Sequence, residues 1–278
     1  MKKKKRKNIK KRLNTKRRKL AIYVILRFFV ILSLIVQVLR GNWLNVILCI
    51  ITLILFTLPG LIQDKLKVEF PTTLEVIVYL FIFSHTILGE IQSFYVTFPY
   101  WDTMLHTISG FLCAAVGFSL VDVLNQDENF QIAMTPIFVS IVAFCFSMTI
   151  GICWEFVEFS MDHVLNQDMQ KDRIVSTISS VKINPEGLNE PITINDINKT
   201  EIYSNSNKKI TTIQKGYLDI GIIDTMKDLF VNFIGALIFS IIGYFYLKNR
   251  DQSSIAKEFI PKMKRKINDS IEKAQELA

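Results

Sequence analysis

The sequence lacks the motifs that mark most soluble enzymes. It has no glycine-rich phosphate loop, no GxSxG motif and no HExxH motif, so the usual nucleotide-binding, serine-hydrolase and zinc-protease signatures are absent. Its four cysteines all lie inside apolar segments at no metal-binding spacing, and we expect neither disulfides nor a cysteine metal site. Acidic residues are missing from the first 19 positions, which hold 13 Lys or Arg.

The excess positive charge of the chain comes from this basic arm, residues 1–19. The formal net charge is +8, yet the other 259 residues carry only 20 Lys or Arg against 25 Asp or Glu. Because no continuous basic face follows the arm, we do not expect nucleic acid as a partner. We expect the arm to hold the N-terminus in the cytoplasm and to contact anionic lipids, at about 1 kcal/mol per base near the surface.

Apolar residues make up 50% of the chain and the mean hydropathy is positive, which is too apolar for an ordinary soluble domain. Six apolar segments are as long as the roughly 20 helical residues that cross a bilayer. They span residues 20–39, 43–62, 74–91, 103–124, 133–159 and 222–247. The sequence therefore predicts an all-α integral membrane protein with six transmembrane helices.

Basic residues at both ends predict that both termini are cytoplasmic. The expected parts are the basic arm 1–19, helices one to five in 20–162, an external loop insertion 163–217, helix six in 218–247 and a basic tail 248–278. Within the loop, alternating apolar residues around 192–197 and 210–213 predict a short hairpin.

Ionisable side chains concentrate in helices three to six. Each costs about 2.5–3.5 kcal/mol near the bilayer centre, so each requires a partner, a water-filled cavity or a function. They are His85 and Glu90 in helix three, Asp102 and His106 in helix four, Glu155, Glu158 and Asp162 in helix five, and Asp224, Lys227 and Asp228, with Asn232, in helix six.

The alternating direction of the helices places these groups in one half of the bilayer. At 1.5 Å per residue, His106 and Glu155 lie about 5–6 Å from the ends of their spans on that side. By the same measure, His85 and Asp228 lie about 9 Å from theirs. The sequence thus predicts one acidic, histidine-containing cavity near the outer leaflet.

Seven acids facing two histidines and one lysine cannot all stay ionised in a dry cavity, so protons, a metal ion or an amine must enter. Histidines with carboxylates suit Zn²⁺, Mn²⁺ or Fe²⁺, and Mg²⁺ or Ca²⁺ is the weaker choice. Either glutamate of helix five would act as general base for a metal-bound water. We expect the metal ligands His85, Asp102, His106 and Asp224, the catalytic residues Glu155, Glu158 and Asp228, and the supporting residues Asp162 and Asn232.

Simpler structural roles compete with these assignments. Asp102 and Asp224 would serve equally well as the N-caps of their helices. At the level of function three alternatives stay open: a metal-assisted hydrolase or transferase acting on a lipid or envelope headgroup, a proton- or cation-coupled carrier, and a non-catalytic envelope protein with a structural ion. The inner halves of the spans show almost no polar residue, which argues against the carrier.

Three motifs carry a resemblance to known families. They are Trp101-Asp102-x-x-x-His106, Trp154-Glu155-x-x-Glu158-x-x-x-Asp162 and Asp224-Thr225-x-x-Asp228-x-x-x-Asn232-x-x-Gly235-Ala236. In this order they resemble the YjdF-like family of bacterial inner-membrane proteins, which has no established activity. The order is also similar, more distantly, to the VanZ-like family linked to teicoplanin resistance, where lysine stands in place of Thr103 and glutamine in place of Glu158. The resemblance implies a multi-pass protein of the bacterial cytoplasmic membrane.

Overall fold

A computed structural model of the chain describes residues 2–65, 68–125, 134–206, 208–249, 258–260 and 262–263. The helices are α1 (Lys2–Leu39), α2 (Trp43–Leu55), α3 (Leu58–Lys65), α4 (Thr72–Phe83), α5 (Phe94–Thr97), α6 (Trp101–Asn125), α7 (Pro136–Leu165) and α8 (Ile222–Asn249), with a π-helix (Ser84–Ile91) after α4 and a 3-10 turn (Val181–Ile183). The strands are β1 (Val68–Glu69), β2 (Ile174–Val175), β3 (Ile178–Ser180), β4 (Ile192–Ile194), β5 (Lys199–Tyr203), β6 (Lys209–Gln214), β7 (Tyr217–Leu218) and β8 (Lys262–Met263).

The predicted six-helix membrane fold is confirmed. Six helical stretches of the described chain are long and apolar enough to cross a membrane. They are Arg17–Leu39, Trp43–Lys65, Thr72–Ile91, Trp101–Asp122, Pro136–Leu165 and Ile222–Asn249. Many large apolar side chains on them are exposed, which is expected where lipid covers the surface.

The structure adds detail to the predicted spans. Helix α1 begins at Lys2, so the basic arm continues the first span as helix. The second span consists of α2 and α3, and the third changes from α-helix to π-helix at Ser84. Asp102 lies inside the first turn of α6 and does not precede the helix.

The described residues fall into two compact units, Met1–Gly151 with Val231–Ala278, and Ile152–Phe230. The first unit contains two apolar cores. One includes Phe118 and Phe239, whose rings meet edge-on with centroids 5.9 Å apart. The other is formed by α1, α2, α4 and the π-helix around Val30 and Phe56.

Helices α6 and α8 meet at two glycines in the first unit. A Cβ at Gly110 would overlap the backbone carbonyl of Asn232, and a Cβ at Gly235 would overlap that of Thr107. Each glycine thus meets the residue three positions before the facing glycine. Further along both helices a Cβ at Gly243 would overlap the Phe118 ring, so residue numbers rise together and the two helices run parallel. Such small-residue contacts let membrane helices approach closely.

Buried acids also occur at the other ends of these spans, which corrects the expectation that this half of the bundle has almost no polar residue. Glu75, in the first turn of α4, is buried and pairs with Lys19 Nζ at 2.5 Å. Gln63 Nε2 donates to the second carboxylate oxygen of Glu75 at 3.0 Å. Asp122 is buried near the end of α6.

The described C-terminal residues, 258–260 and 262–263, belong to the first unit and contact other parts of it. Strand β8 pairs antiparallel with β1, joining Met263 to Val68 and Lys262 to Glu69. Ile260 is buried in the apolar core. The rest of the predicted basic tail after residue 249 lies outside the described residues.

The second unit contains the long connection between α7 and α8, which carries the expected hairpin at a different place. Strand β5 (Lys199–Tyr203) pairs with β6, while the predicted first strand, 192–197, supplies β4, which pairs with β3. On the hairpin, hydrogen bonds from Lys209, Lys199 and Tyr203 lower the pKa of Glu201 to about 2.

Candidate functional site

Helix α6 holds Asp102 and His106 one turn apart on the same face. The distance from His106 Nε2 to Asp102 Oδ1 is 3.4 Å, and both side chains are mostly buried. The i, i+4 spacing of a helix produces this pairing directly. A carboxylate beside an imidazole orients the ring and favours its protonated or metal-bound form.

The π-helix positions the second histidine of the spans. His85 Nδ1 is hydrogen-bonded to the Tyr95 hydroxyl. Tyr95 can pack so closely because a Cβ at position 89, which is glycine, would overlap its ring. His85 also lies within electrostatic range of His106 and Asp102. Single π-turns are often found at functional sites, and this one would not have been found from apolar periodicity.

Helix α7 places two buried glutamates in the second unit. Glu155 and Glu158 are buried, and the Trp154 indole Nε1 donates to Glu158 Oε1 at 2.7 Å. Asp162, one turn further along, accepts hydrogen bonds from the backbone N–H groups of Met169 and Gln170 at 2.6 and 2.9 Å. Asp162 therefore holds the loop that follows α7.

The start of α8 is tied to the same loop. Asp224 accepts the Lys171 backbone N–H at 3.0 Å, and its other oxygen lies 3.7 Å from Arg173 Nη2. The residue that accepts a hydrogen bond from the first turn of α8 is Asp219, which binds the Ile223 N–H at 3.0 Å. Asp224 therefore contacts the loop, whereas the start of the helix is capped by Asp219, a residue that the sequence did not single out.

Electrostatics of this loop follow from its hydrogen bonds. Desolvation raises the pKa of Asp219, but hydrogen bonds from the backbone N–H groups of Arg173 and Ile223 outweigh it and hold the pKa below its usual value. Desolvation and the nearby carboxylates of Asp168 and Asp219 raise the pKa of Asp172.

Asp102, His106 and Asp228 form a group that could hold a metal ion. Each offers one ligand atom, and these atoms all lie within 4.8 Å of one another. On α6, the two ligands stand four and eight residues before Gly110. Asp228 is nearly fully buried, with Lys227 Nζ 3.8 Å from its Oδ1.

The family model for predicted membrane proteins designated DUF2238 matches residues 18–249. The chain belongs to the DUF2238 family. No curated protein and no solved structure matches the chain. The match covers the six spans of this DUF2238 protein except Arg17, and it includes all three residues of the Asp–His–Asp group. It assigns no activity.

The structure brings together three of the nine residues that the sequence selected, namely Asp102, His106 and Asp228. His85 and Asp224, both in described segments, are outside the Asp–His–Asp group. Asn232 contacts Met148 Sδ through its side-chain amide at 3.6 Å and packs at the helix crossing. Sequence reasoning missed Tyr95, which it would have assigned to an interfacial aromatic belt.

All four cysteines lie in described segments and are free, as expected.

Proposed function

We propose that this protein binds one divalent metal ion through Asp102, His106 and Asp228, and that the ion acts on the headgroup of a lipid or lipid-linked envelope molecule. The observation that carries the proposal is the convergence of three ligand atoms within 4.8 Å, on helices that are long and apolar enough to cross a membrane. Ionisable groups placed there are costly unless they are paired or used. One metal ion would use all three side chains.

The three donors fit a borderline divalent ion. Zn²⁺ binds imidazole nitrogen and carboxylate oxygen at about 2.0–2.2 Å, so the donors of one tetrahedral ion stand about 3.3–3.6 Å apart. The ligand atoms of the three residues lie within 4.8 Å of one another, so binding one ion requires side-chain rotations that bring the atoms up to about 1.2–1.5 Å closer. The imidazole favours Zn²⁺, Mn²⁺ or Fe²⁺ over Mg²⁺ and Ca²⁺. Three protein ligands leave a position for water or substrate, as in catalytic zinc sites.

The protein groups would have separate roles. When bound, the ion supplies a Lewis acid that polarises an ester or phosphoester oxygen. Asp102 and His106 would each supply one donor atom, and their spacing of one helical turn places these atoms 3.4 Å apart. Glu155 and Glu158, both buried on α7, are the candidate proton acceptors.

The test is the metal content of detergent-purified protein. We expect close to one divalent ion per chain in the wild type and a loss to trace in His106→Ala, with helical circular dichroism and gel filtration unchanged. His163→Ala is the matched control, because His163 is exposed and contacts its own helix at the Phe159 carbonyl. Equal metal in all three proteins, or no metal after Zn²⁺, Mn²⁺ and Fe²⁺ are supplied, would contradict the proposal.

A second candidate function, a proton- or cation-coupled carrier, is favoured by the buried acids Glu75 and Asp122. They lie at the opposite ends of α4 and α6 from His85 and His106, so both halves of the spans contain ionisable groups. Flux of protons or divalent ions into vesicles that contain the protein, lost in Glu75→Gln, would favour the carrier. Bound metal without flux or turnover would instead indicate a structural ion.

We also propose that the protein resides in the bacterial cytoplasmic membrane with both termini in the cytoplasm, where the basic arm contacts anionic lipids. This orientation places the Asp–His–Asp group toward the outer leaflet. A fluorescent protein fused after residue 278 should then fluoresce, and alkaline phosphatase inserted into the 163–217 loop should be active. The opposite pair of results would invert the orientation.

A further inference from the structure

A groove with apolar walls lies among α4, α6 and α8 in the first unit. Its volume is about 490 Å³, and its walls include Leu80 and Ile238. Ser84 and Thr107 also line it, but the Thr107 hydroxyl donates to the Thr103 carbonyl of its own helix at 2.7 Å. The groove therefore presents an almost entirely apolar surface to an occupant.

The groove opens sideways within the membrane-spanning helices. Leu80, Met104 and Ile238 line it and are each more than 40% exposed. All three belong to segments that are long and apolar enough to cross a membrane. The surroundings at such positions are hydrocarbon and not water, so what can enter laterally is a hydrocarbon chain.

One end of the groove adjoins the candidate site. Ser84 directly precedes His85, and Thr107 directly follows His106. A molecule with its chain in the groove would therefore place its polar end beside the two histidines.

The described C-terminal residues contribute one wall residue toward the other end. Phe259 lines the groove, and its ring meets that of Phe111 edge-on with centroids 4.9 Å apart. Strand β8 pairs with β1. From Met104 to Leu112, the groove follows α6 for about 12 Å. Its limited length and apolar walls suit part of one acyl chain better than a packed helix.

We propose that this groove holds one acyl chain of a membrane phospholipid whose phosphate headgroup lies at the Asp–His–Asp group. The position of the headgroup rests on the proposed function, whereas the position of the acyl chain is inferred from the groove alone. The substrate class is thereby a diacyl phospholipid and not a water-soluble phosphate, because only the lipid occupies both ends.

Photolabelling of the full-length protein in nanodiscs tests the proposal. The probes are two phosphatidylglycerols, one with a diazirine near the carboxyl end of an acyl chain and one with it near the chain terminus. We expect the first to label Met104 and the second to label Phe111 and Phe259. Labelling of these positions in the reverse order, or a spread over all exposed apolar faces, would overturn the proposal.

Groove-filling variants supply the controls. Ile238→Trp, at the exposed rim, and Ile108→Trp, inside the groove, should both abolish labelling of α6. Ile141→Trp, in a second apolar groove of about 470 Å³ between α7 and α8, should leave it unchanged. Labelling of α6 that persists in a folded Ile238→Trp protein would refute the acyl-chain site.

Metal content measured on the same samples separates the two proposals. If the groove variants abolish labelling while the wild type holds no metal, the lipid site is supported and the metal site is refuted. If metal is lost in His106→Ala while the groove variants leave labelling unchanged, the metal site is supported and the lipid site is refuted.

Discussion

Gly110→Ala is the substitution whose effect follows most directly from the structure, because α6 and α8 meet at Gly110. Substitution by alanine adds a Cβ that would overlap the Asn232 backbone carbonyl, and both partners are helical backbone that cannot rotate away. Ordinary carbon–oxygen contacts are about 3.3 Å or longer, so the helices must separate by on the order of 1 Å. We expect Gly110→Ala to lower the free energy of unfolding by about 1–3 kcal/mol, the usual effect of overpacking.

The same displacement should weaken metal binding without touching a ligand. The α6 ligand His106 is one turn from Gly110, and metal sites tolerate deviations of only about 0.2 Å in ligand distance. We expect Gly110→Ala to reduce divalent-ion affinity by about tenfold or more, a loss typical of mutations that disturb the support of the ligands. Competition with a chromophoric chelator measures the affinity, and thermal unfolding in detergent measures the stability.

Gly60→Ala is the matched control. Gly60 lies in α3 with no heavy atom within 4 Å of an added Cβ. Alanine is favoured over glycine in a helix by up to about 1 kcal/mol, so this variant should be neutral or slightly stabilised. If Gly110→Ala matches wild type in both stability and metal affinity, the close helix crossing does not set the site.

Three further predictions concern other parts of the chain. The folded-state pKa of Glu201 is lowered from 4.5 to about 2, so its contribution to the stability of the β5–β6 hairpin should be complete above pH 4.5 and disappear toward pH 2. Amide exchange of β5 and β6 should show this loss of stability, and Glu201→Gln should remove its pH dependence. Asp224→Asn should keep the metal but speed proteolysis of the loop after α7, whereas simultaneous loss of metal would assign the residue to the metal site. Lys19→Ala should lower the free energy of unfolding by about 2 kcal/mol, because it leaves the Glu75 carboxylate buried without its cation. Arg18→Ala, at an exposed neighbouring position, should not lower it, and equal melting temperatures of Lys19→Ala and the wild type would show that the ion pair contributes nothing.

The helices were predictable because crossing a bilayer imposes a length and an apolar composition that appear directly in the sequence. Part of the candidate site was predictable for a related reason: helical spacing keeps Asp102 and His106 on one face, and alternating helix direction brings Asp228 to a similar depth. Depth and face are local quantities. The depth and face of a residue do not determine which neighbouring helix its own helix contacts. The contact between α6 and α8 depends on Gly110 and Gly235, which cannot be told apart in the sequence from other small residues.

The features that sequence reasoning missed depend on contacts between distant segments. Asp224 was expected as a metal ligand or a cap, but its carboxylate contacts a loop more than 50 residues earlier in the chain. Glu75 was overlooked because it stands at the edge of its predicted span, where burial cannot be inferred from hydropathy. The pairing of β8 with β1 joins Met263 to Val68, a separation that no periodicity encodes.

The chemistry of the ligands can be read most directly by X-ray absorption spectroscopy of the zinc-loaded protein. The account predicts a first shell of nitrogen and oxygen with the multiple-scattering signature of one imidazole. His106→Ala should lose this signature, and the exposed-histidine variant His163→Ala should retain it. A spectrum with sulfur, with no imidazole, or with an imidazole signature that persists in His106→Ala would contradict a metal centre at Asp102, His106 and Asp228.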